Sequence, residues 1–581
     1  MTHLWNDPAD FADEMIAGFV AANGHHVRRV DGGVVRRSAT PPGQVAVVVG
    51  GGSGHYPAFG GLVGSGLAHG AAMGNLFASP STQQILSVAR AADGGAGVLF
   101  SYGNYAGDAL NFDAAQEQLR AQDIPCETVR VTDDIASAGP SDRKLRRGIA
   151  GDLTVFRSAA AAAEAGYGLP DVERIADLAN DRTRSFGVAF SGCTLPGADA
   201  PLFDVADGRM AVGLGIHGEP GIGEADVPSA DELAELLVSR LLEEVPAGVV
   251  LDGAHVVPIL NGLGAVKYEE LFVVYRRVAG LLSAAGALVV DPHVGEFCTS
   301  FDMAGASLTL FWPDAELERL WQRPVAAPAY ARTGFFAAAG DGAVAVGPAQ
   351  EAAVSTSDQA SRAVTAMIAS ALGTVRSVLE EHEEELGRID AVAGDGDHGI
   401  GMVRGARAAA AAAADAVDDG AGAATALRRA ADAWSGRAGG TSGALWGAML
   451  SSAAQHLRDE GAPSPEDVAA GVRAAVASVR HQGGASVGDK TMVDALVPFD
   501  EAFLASVRAG SEPAQAWREA AAAATDAAVR SAELLPRVGR ARPHAERSLG
   551  TPDPGAHSFA LIARAVAASF DETLTEKVEQ A

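Results

Sequence analysis

Residues 45–57 read VAVVVGGGSGHYP, five small or β-branched apolar residues running into a loop of four glycines and a serine that ends in His55. An apolar run of that length bounded by glycine reads as a buried strand. A strand that opens directly into such a loop points to an α/β region whose ligand loops sit at strand ends. The loop lacks the third glycine, opening a helix, that a dinucleotide site requires, because Tyr56 and Pro57 intervene. It still lets backbone approach a small polar ligand closely.

Working outward, similar apolar runs recur at residues 97–100, 126–131, 187–190, 210–216, 256–260, 287–290 and 307–311, with helical stretches such as 81–92 and 269–285 between them. Two of these runs end as residues 45–49 do, in a titratable group. GNYAGDALNF (103–112) presents Asp108, and VGLGIHGEPG (212–221) presents His217 at the end of the strand from Met210, followed by Glu219. A lone histidine there is more often a satisfied structural residue. Three titratable groups at strand ends mark the edge where α/β folds keep ligands.

From residue 321 to 357 the chain is rich in Ala, Gly and Pro, with no sustained period, and reads as a connecting segment. Beyond it Val364, Met367, Ile368, Ala371, Leu372 and Val375 follow helical spacing. Similar segments continue to the end without β-rich runs, predicting an all-α second half of about eight helices. The alanine tract 408–414 belongs to one of them, since Ala has the highest helix propensity. The expected organisation is an α/β domain over residues 1–325, a linker over 326–357 and an all-α domain over 358–581.

The second half carries its own chemistry. RIDAVAGDGDHG (388–399) places Asp390, Asp395 and Asp397 within eight residues, threaded with glycine. Carboxylates that close repel one another unless a cation joins them, and Mg²⁺ or Ca²⁺ is the natural partner for oxygen ligands. The spacing does not fit an EF-hand, and taken alone the loop is also what a solvated acidic turn looks like. GRAGGTSGAL (436–445) sets Thr441 and Ser442 at a helix start, either an ordinary cap or an anion site. SVGDKTMVDAL (486–496) adds Asp489, Lys490 and Thr491, and TPDPGAHS (551–558) adds Asp553, Pro554 and Gly555. Together these suggest a nucleoside triphosphate with Mg²⁺, although the chain has no GxxxxGK[ST] loop.

Charge and composition exclude other classes. Among 581 residues, 44 Lys+Arg against 73 Asp+Glu give a net charge of −29. Such a surface repels nucleic-acid backbones and anionic membranes, so neither is an expected partner, and an anionic nucleotide needs metal ions to bind. With 48% hydrophobic residues each domain can bury a core. The three widely spaced cysteines, Cys126, Cys193 and Cys298, offer neither a disulfide framework nor a zinc pattern. They favour a reducing cytoplasm. The N-terminus has acids where a signal peptide would be basic. The longest strongly apolar stretch, residues 278–290, is shorter than the ~18 residues needed to span a bilayer. The expectation is a soluble protein.

The motifs GGGSGH, NYAGD, GIHGEPG and CTSFDM in the first half, and GDGDHG, GGTSGA, GDKTM and DPGA in the second, occur in that order. In this the chain resembles the dihydroxyacetone kinase family over nearly its whole length: a ketose-binding K domain followed by a nucleotide-binding L domain, which in that family is a closed barrel of eight helices. The resemblance implies an ATP- and Mg²⁺-dependent kinase in which His217 holds the ketose as a covalent hemiaminal. His55 and Asp108 would handle the proton of the accepting hydroxyl, and Gly52, Ser53 and Gly54 would bind the substrate through backbone groups. Asp390, Asp395 and Asp397 would hold Mg²⁺. Asp397, His398, Gly399, Ile400, Thr441, Ser442, Lys490, Thr491, Asp553, Pro554 and Gly555 would surround the nucleotide. A homodimer is implied as well.

The sequence departs from the family pattern in three places. Tyr56 stands where dihydroxyacetone-using members have Glu, Gly103 replaces a Lys, and the motif at residues 539–547 reads GRARPHAER. The first two flank the substrate residues and suggest room for a longer sugar, so the substrate is expected to be erythrulose or dihydroxyacetone. Two other readings stay open. One is a phosphotransferase fed by a phosphoenolpyruvate-dependent carrier, although those relatives keep K and L on separate chains. The other is a ketose sensor without turnover, which would have no reason to keep three metal-binding aspartates.

Overall fold

The computed structural model describes residues 2–219, 221–333, 357–538 and 546–579, with side chains to residue 570. The chain divides into two compact units, Met1–Ala343 and Val344–Ala581.

The first unit is built on two sheets. Strands β1 (Val27–Val30), β2 (Gly33–Arg36), β3 (Ala46–Ser53), β4 (Gly70–Leu76), β5 (Val98–Gly103) and β6 (Cys126–Val131) form a six-stranded sheet in the order β1-β2-β4-β3-β5-β6. It is parallel from β4 to β6, with an antiparallel β1–β2 edge. Strands β7 (Thr183–Ala189), β8 (Arg209–Val212), β9 (Gly223–Asp226), β10 (His255–Gly262), β11 (Leu288–Val289), β12 (His293–Gly295) and β13 (Gly305–Phe311) form the second sheet, in the order β11-β10-β13-β7-β8-β9 with β12 also on β10.

Side-chain alternation shows why the 45–49 run is so uniformly apolar. Val45, Val47 and Val49 enter the core shared with β10 of the second sheet, while Ala46 and Val48 enter a core on the opposite face. A strand covered on both sides has no polar face to alternate with. Helices α1 (Phe11–Ala22), α2 (Thr82–Ala92), α3 (Ala106–Arg120), α4 (Asp152–Glu164), α5 (Leu169–Asp181), α6 (Ala230–Leu242), α7 (Tyr268–Ala284) and α8 (Ala315–Trp321) complete the unit. The starts of α2 and α6 are fixed by capping boxes, Ser81 with Gln84 and Ser229 with Glu232.

Several boundaries differ from expectation. The run 210–216 is a strand only to Val212, because Gly213 turns the chain with φ +71° and starts a loop that carries His217. β4, GAAMGNL, has no β-branched residue and so gives no strand signal in the sequence. The connecting segment expected at 326–357 loses its first residues to a hairpin of β14 (Val325–Ala327) and β15 (Tyr330–Arg332). Its residues 334–356 lie outside the described ones.

The second unit shows nine helices among the described residues: α9 (Gln359–Glu381), α10 (Glu383–Asp390), α11 (His398–Asp418), α12 (Ala423–Ala438), α13 (Gly440–Ala454), α14 (Pro465–Gly483), α15 (Val493–Arg508), α16 (Pro513–Arg530) and α17 (Pro554–Glu579). α9, α11 and the six helices from α12 to α17 each pack on the next, and α17 returns to α9, so eight helices close into a ring. The short α10 leads into the acidic loop. The alanine tract faces inward, with Ala409, Ala410 and Ala413 buried. The ring encloses an apolar cavity of about 500 Å³ walled partly by Trp434, Trp446, Phe499 and Trp517.

α9 alone among the described helices is long and apolar enough to cross a bilayer, contrary to the expectation that no stretch is. Its composition has a local cause. Leu372, Val375 and Leu379 belong to the ring's core, and Val364, Met367 and Ile368 line its cavity.

Candidate active site

In the first unit, loops from the two sheets converge. β3 delivers His55, and the turn after β8 delivers His217. Their Nε2 atoms are 3.0 Å apart with ring planes at 89°. Phe77 stacks on His55 at 4.8 Å, and Tyr105 meets His217 edge-on at 4.7 Å. The glycine loop is tied down around them: the Ser53 hydroxyl donates to the Gly74 carbonyl, and the carbonyls of Ser53, Gly54 and His55 accept from the N–H groups of Phe77, Phe301 and Thr299. Ser53 therefore spends its hydroxyl on β4, and Gly52, Ser53 and Gly54 present backbone.

The outer nitrogens fix the protons. His55 Nδ1 lies 2.8 Å from the Thr299 carbonyl, which can only accept, so Nδ1 carries a hydrogen. His217 Nδ1 lies 3.1 Å from Glu219 Oε1 and donates likewise. The two Nε2 atoms then face each other as lone pairs, and a contact of 3.0 Å needs one shared proton. Burial, aided by the His217 charge, pushes His55 down to about 3. Burial pushes the Glu219 carboxyl up, but the hydrogen bond and charge of His217, with backbone N–H groups, outweigh it and hold Glu219 at about 2.

Asp108 sits in the first turn of α3, buried, and its Oδ1 has no hydrogen-bond partner. Burial pushes the carboxyl up to about 6, opposed by Ser79 and the charge of His217. An unpartnered buried acceptor is costly. This one is suited to a substrate hydroxyl and to taking its proton near neutral pH.

The two departures from the family pattern have local explanations. A Cβ on Gly103 would lie 3.0 Å from the Tyr105 ring and 3.3 Å from the Gly148 carbonyl, to which the Tyr105 hydroxyl donates. The space beside Gly103 is therefore taken up by Tyr105 and is not simply vacated. Tyr56, half-exposed, turns toward α1 and meets Phe19 edge-on at 6.0 Å.

In the second unit, carboxylate oxygens of Asp390, Asp395 and Asp397 all lie within 4.8 Å of one another. Asp390 ends α10, and its second oxygen accepts from Gly396 N–H at 2.9 Å. Gly394 is pressed against the Asp390 carboxylate, where a Cβ would collide with Oδ1. Three hard oxygen donors this close fit a divalent cation such as Mg²⁺.

Beside them a cavity of about 340 Å³ is lined by Asp390, His398, Thr441, Ser442, Lys490, Thr491, Asp553, Pro554 and Gly555. Thr441 and Ser442 occupy the first turn of α13, where backbone N–H groups lack intrahelical partners. His398 bridges Ser558 at 3.0 Å and Ser442 at 3.4 Å. The apolar wall combines Leu445 and Met492, at the ends of the GRAGGTSGAL and GDKTM motifs, with Trp446 and Val479, which belong to none and which only the fold brings in.

Not every residue expected around the nucleotide reaches the cavity. Asp397 does not line it and stays with the carboxylate cluster. Gly399 is buried against the Glu383 carbonyl, a packing role between α10 and α11, and Ile400 is exposed. Lys490 lines the cavity, but its amine donates to the carbonyls of Leu534 at 3.1 Å and Ser548 at 2.6 Å. It is a latch on the chain after α16. In the altered arginine motif, residues 539–545 lie outside the described ones.

The sequence compares clearly with known proteins. Residues 17–329 match the Dak1 domain and residues 392–568 the DAK2 domain. The chain is 57% identical over 576 residues to an L-erythrulose kinase of Pectobacterium atrosepticum, covering 99% of this chain and 98% of that protein. It is 52% identical over 572 residues to a D-erythrulose kinase of Mycolicibacterium smegmatis, covering 98% of each. Among solved structures, the dihydroxyacetone kinase of C. freundii in complex with AMP-PNP and Mg²⁺ is 31% identical, covers 98% of this chain with 99% of its own, and superposes with a TM-score of 0.57.

Proposed function

The chain belongs to the dihydroxyacetone kinase family and is an ATP- and Mg²⁺-dependent ketose kinase; within that class we propose that it phosphorylates erythrulose, held covalently on His217. The reading rests above all on a histidine pair whose Nε2 atoms meet at 3.0 Å, together with the buried carboxyl of Asp108, whose Oδ1 has no hydrogen-bond partner.

His217 Nε2 adds to the ketone carbon, forming a C–N bond as the C=O π electrons move to oxygen. That oxygen takes the proton shared with His55 and becomes the hemiaminal hydroxyl. The ring, now bonded through Nε2 and still protonated at Nδ1, carries a positive charge facing Glu219. The adduct fixes the acceptor in place. It also selects against glycerol, which has no carbonyl, where hydrogen bonding in a permissive pocket discriminates only about a hundredfold. Asp108 then accepts the proton of the primary hydroxyl as that oxygen attacks the terminal phosphorus of ATP, whose bond to the β–γ bridging oxygen breaks so that ADP leaves.

In the second unit Asp390, Asp395 and Asp397 hold the metal, and the N–H groups of the first turn of α13 bind phosphate oxygens. When bound, Mg²⁺ neutralises charge on the triphosphate and on the phosphoryl group in transfer. The erythrulose assignment is supported by the names of the 57% and 52% identical relatives; the departures at Tyr56 and Gly103 do not add to it, since Tyr56 packs toward α1 and Tyr105 occupies the space beside Gly103. Because those relatives are named for opposite enantiomers, the preferred enantiomer is left to experiment. The three buried free cysteines fit a reducing compartment, and we place the enzyme in the cytoplasm as a homodimer.

Initial rates with ATP–Mg²⁺ and dihydroxyacetone, D-erythrulose or L-erythrulose test the assignment. One erythrulose enantiomer should have the highest kcat/KM. A tenfold preference for dihydroxyacetone over both enantiomers would sink the tetrose reading.

A further inference from the structure

Behind His217 stands a group that the reaction as written does not require to move. Glu219, two residues on, folds back so that both its oxygens engage the same residue. Oε1 meets His217 Nδ1 at 3.1 Å and Oε2 accepts the His217 backbone N–H at 3.0 Å. The turn is closed by Gly215 N–H on the Glu219 carbonyl and Gly218 N–H on the Gly215 carbonyl. A side chain at Gly215 would run into the Glu219 carboxylate.

Arg147 approaches from the other side. Its Nη1 lies 3.7 Å from Glu219 Oε2, while its Nε and Nη2 donate to Asp134 at 3.2 and 3.0 Å. Its backbone N–H is fixed by the Ser137 hydroxyl at 3.0 Å. A chain of side chains, Asp134, Arg147, Glu219 and then the His217 ring, thus runs from the segment after β6 to the nucleophile.

We propose that Glu219 is the positioning residue of the covalent step: held by Arg147, it clamps the His217 backbone and ring together, keeps the proton on Nδ1, and leaves the lone pair on Nε2 aimed at the ketone carbon. The inference rests on the hemiaminal reading above. The step balances without a further reactant, since the proton given to the ketone oxygen is the one already shared by the two histidines. The cationic ring of the adduct pairs with the Glu219 carboxylate. A carboxylate behind a catalytic imidazole does comparable work in serine proteases, where its replacement by the amide costs about 10⁴ in kcat by disturbing the tautomer.

The experiment compares wild type, Glu219→Gln, Glu219→Asp and Arg147→Gln, each first checked for folding by circular dichroism. The groups facing the pair are His55, Tyr105, Asp108, Arg147 and Glu219, so pH profiles are recorded for all four proteins. Glu219→Gln should lower kcat/KM for ketose by tenfold or more, mainly through KM because adduct formation is the binding step, and shift the acid limb of kcat/KM to lower pH. Glu219→Asp should recover part of the loss, and Arg147→Gln should lose activity in the same direction but less.

The decisive readout is ¹⁵N NMR of the His217 ring without ligand at alkaline pH. Wild type should show one tautomer, protonated at Nδ1, and Glu219→Gln a mixture. A Glu219→Gln enzyme within threefold of wild type, with an unmoved acid limb and an unchanged tautomer, overturns the proposal. If Glu219→Gln does not fold, the same limits apply to Arg147→Gln. ¹³C NMR with 2-¹³C-labelled erythrulose separates this from the underlying reading. Absence of a hemiaminal carbon signal in wild type refutes covalent holding, while the ligand-free tautomer comparison still decides whether Glu219 sets the ring.

Discussion

His55 and His217 are 162 residues apart in the chain, yet their Nε2 atoms meet at 3.0 Å with the rings nearly perpendicular. Each ring is anchored at Nδ1 by an acceptor, a carbonyl for one and a carboxylate for the other. In the proposed reaction the pair supplies the proton that the ketone oxygen takes.

The two halves of the reaction should separate by mutation. His217→Ala should abolish the ketose adduct, seen in a crystal soaked with ketose, while leaving ATP binding intact. Asp395→Ala should abolish phosphorylation and leave the adduct. Adduct formation by His217→Ala would contradict the assignment of the nucleophile.

Asp108 supplies a pH dependence. As the proposed base it must be ionised, and burial has raised it from the ordinary carboxylate range to about 6. The kcat should fall as pH drops through about 6. The kcat rather than kcat/KM is the readout, because His217 in the adduct no longer has a free Nε2 to titrate. Asp108→Asn should cost about 10²–10⁴ in kcat and remove that limb.

Gly394 tests the metal loop without touching a ligand. Adding a methyl group must displace the Asp390 carboxylate. Gly394→Ala should raise the Mg²⁺ concentration needed for half-maximal rate by tenfold or more and leave KM for ketose within twofold. An unchanged Mg²⁺ requirement would show that Asp390 does not hold the metal.

Asp553 makes a stability prediction. Burial, with Asp494 adding and Lys490 opposing, raises its carboxyl to about 7, against about 3.9 in an unfolded chain. A raised carboxylate costs folded stability as pH climbs from the unfolded value through the folded one. Asn can keep the cap that Asp553 gives α17 through Ala556 N–H without ionising. Asp553→Asn, measured without nucleotide, should raise Tm by several degrees at pH 8 and not at pH 4. A difference independent of pH would show that ionisation of Asp553 is not the cause.

Much of this site was legible in the residues because it is built from contiguous segments. The acidic loop 390–397, the helix start at Thr441 and Ser442 and the cap at Asp553 each form within one turn of chain, and their chemistry follows from spacing. Glu219 was visible beside His217, but nothing in the sequence said that its carboxylate would turn back on its neighbour. Arg147 gave no signal at all, since the basic stretch 143–147 reads as an ordinary charged surface. Gly399 and Ile400 adjoin the metal loop in sequence, yet helical geometry sends one into packing and the other to solvent.

The sequence by itself determined that an α/β half precedes an all-α half, that a glycine loop follows a buried strand, and that three aspartates stand close enough along the chain to suit a cation. These are local properties of periodicity, propensity and like-charge repulsion, and they survive without knowledge of the rest of the chain. Only the tertiary structure decided that the Nε2 atoms of His55 and His217 meet, that one oxygen of the buried Asp108 carboxyl is left without a hydrogen bond, that Tyr105 fills the space beside Gly103, and that Lys490 is spent on carbonyls. Each of these depends on which distant segments pack together. Burial and proximity, which set both hydrogen bonding and ionisation, are properties of that packing and not of the residues alone.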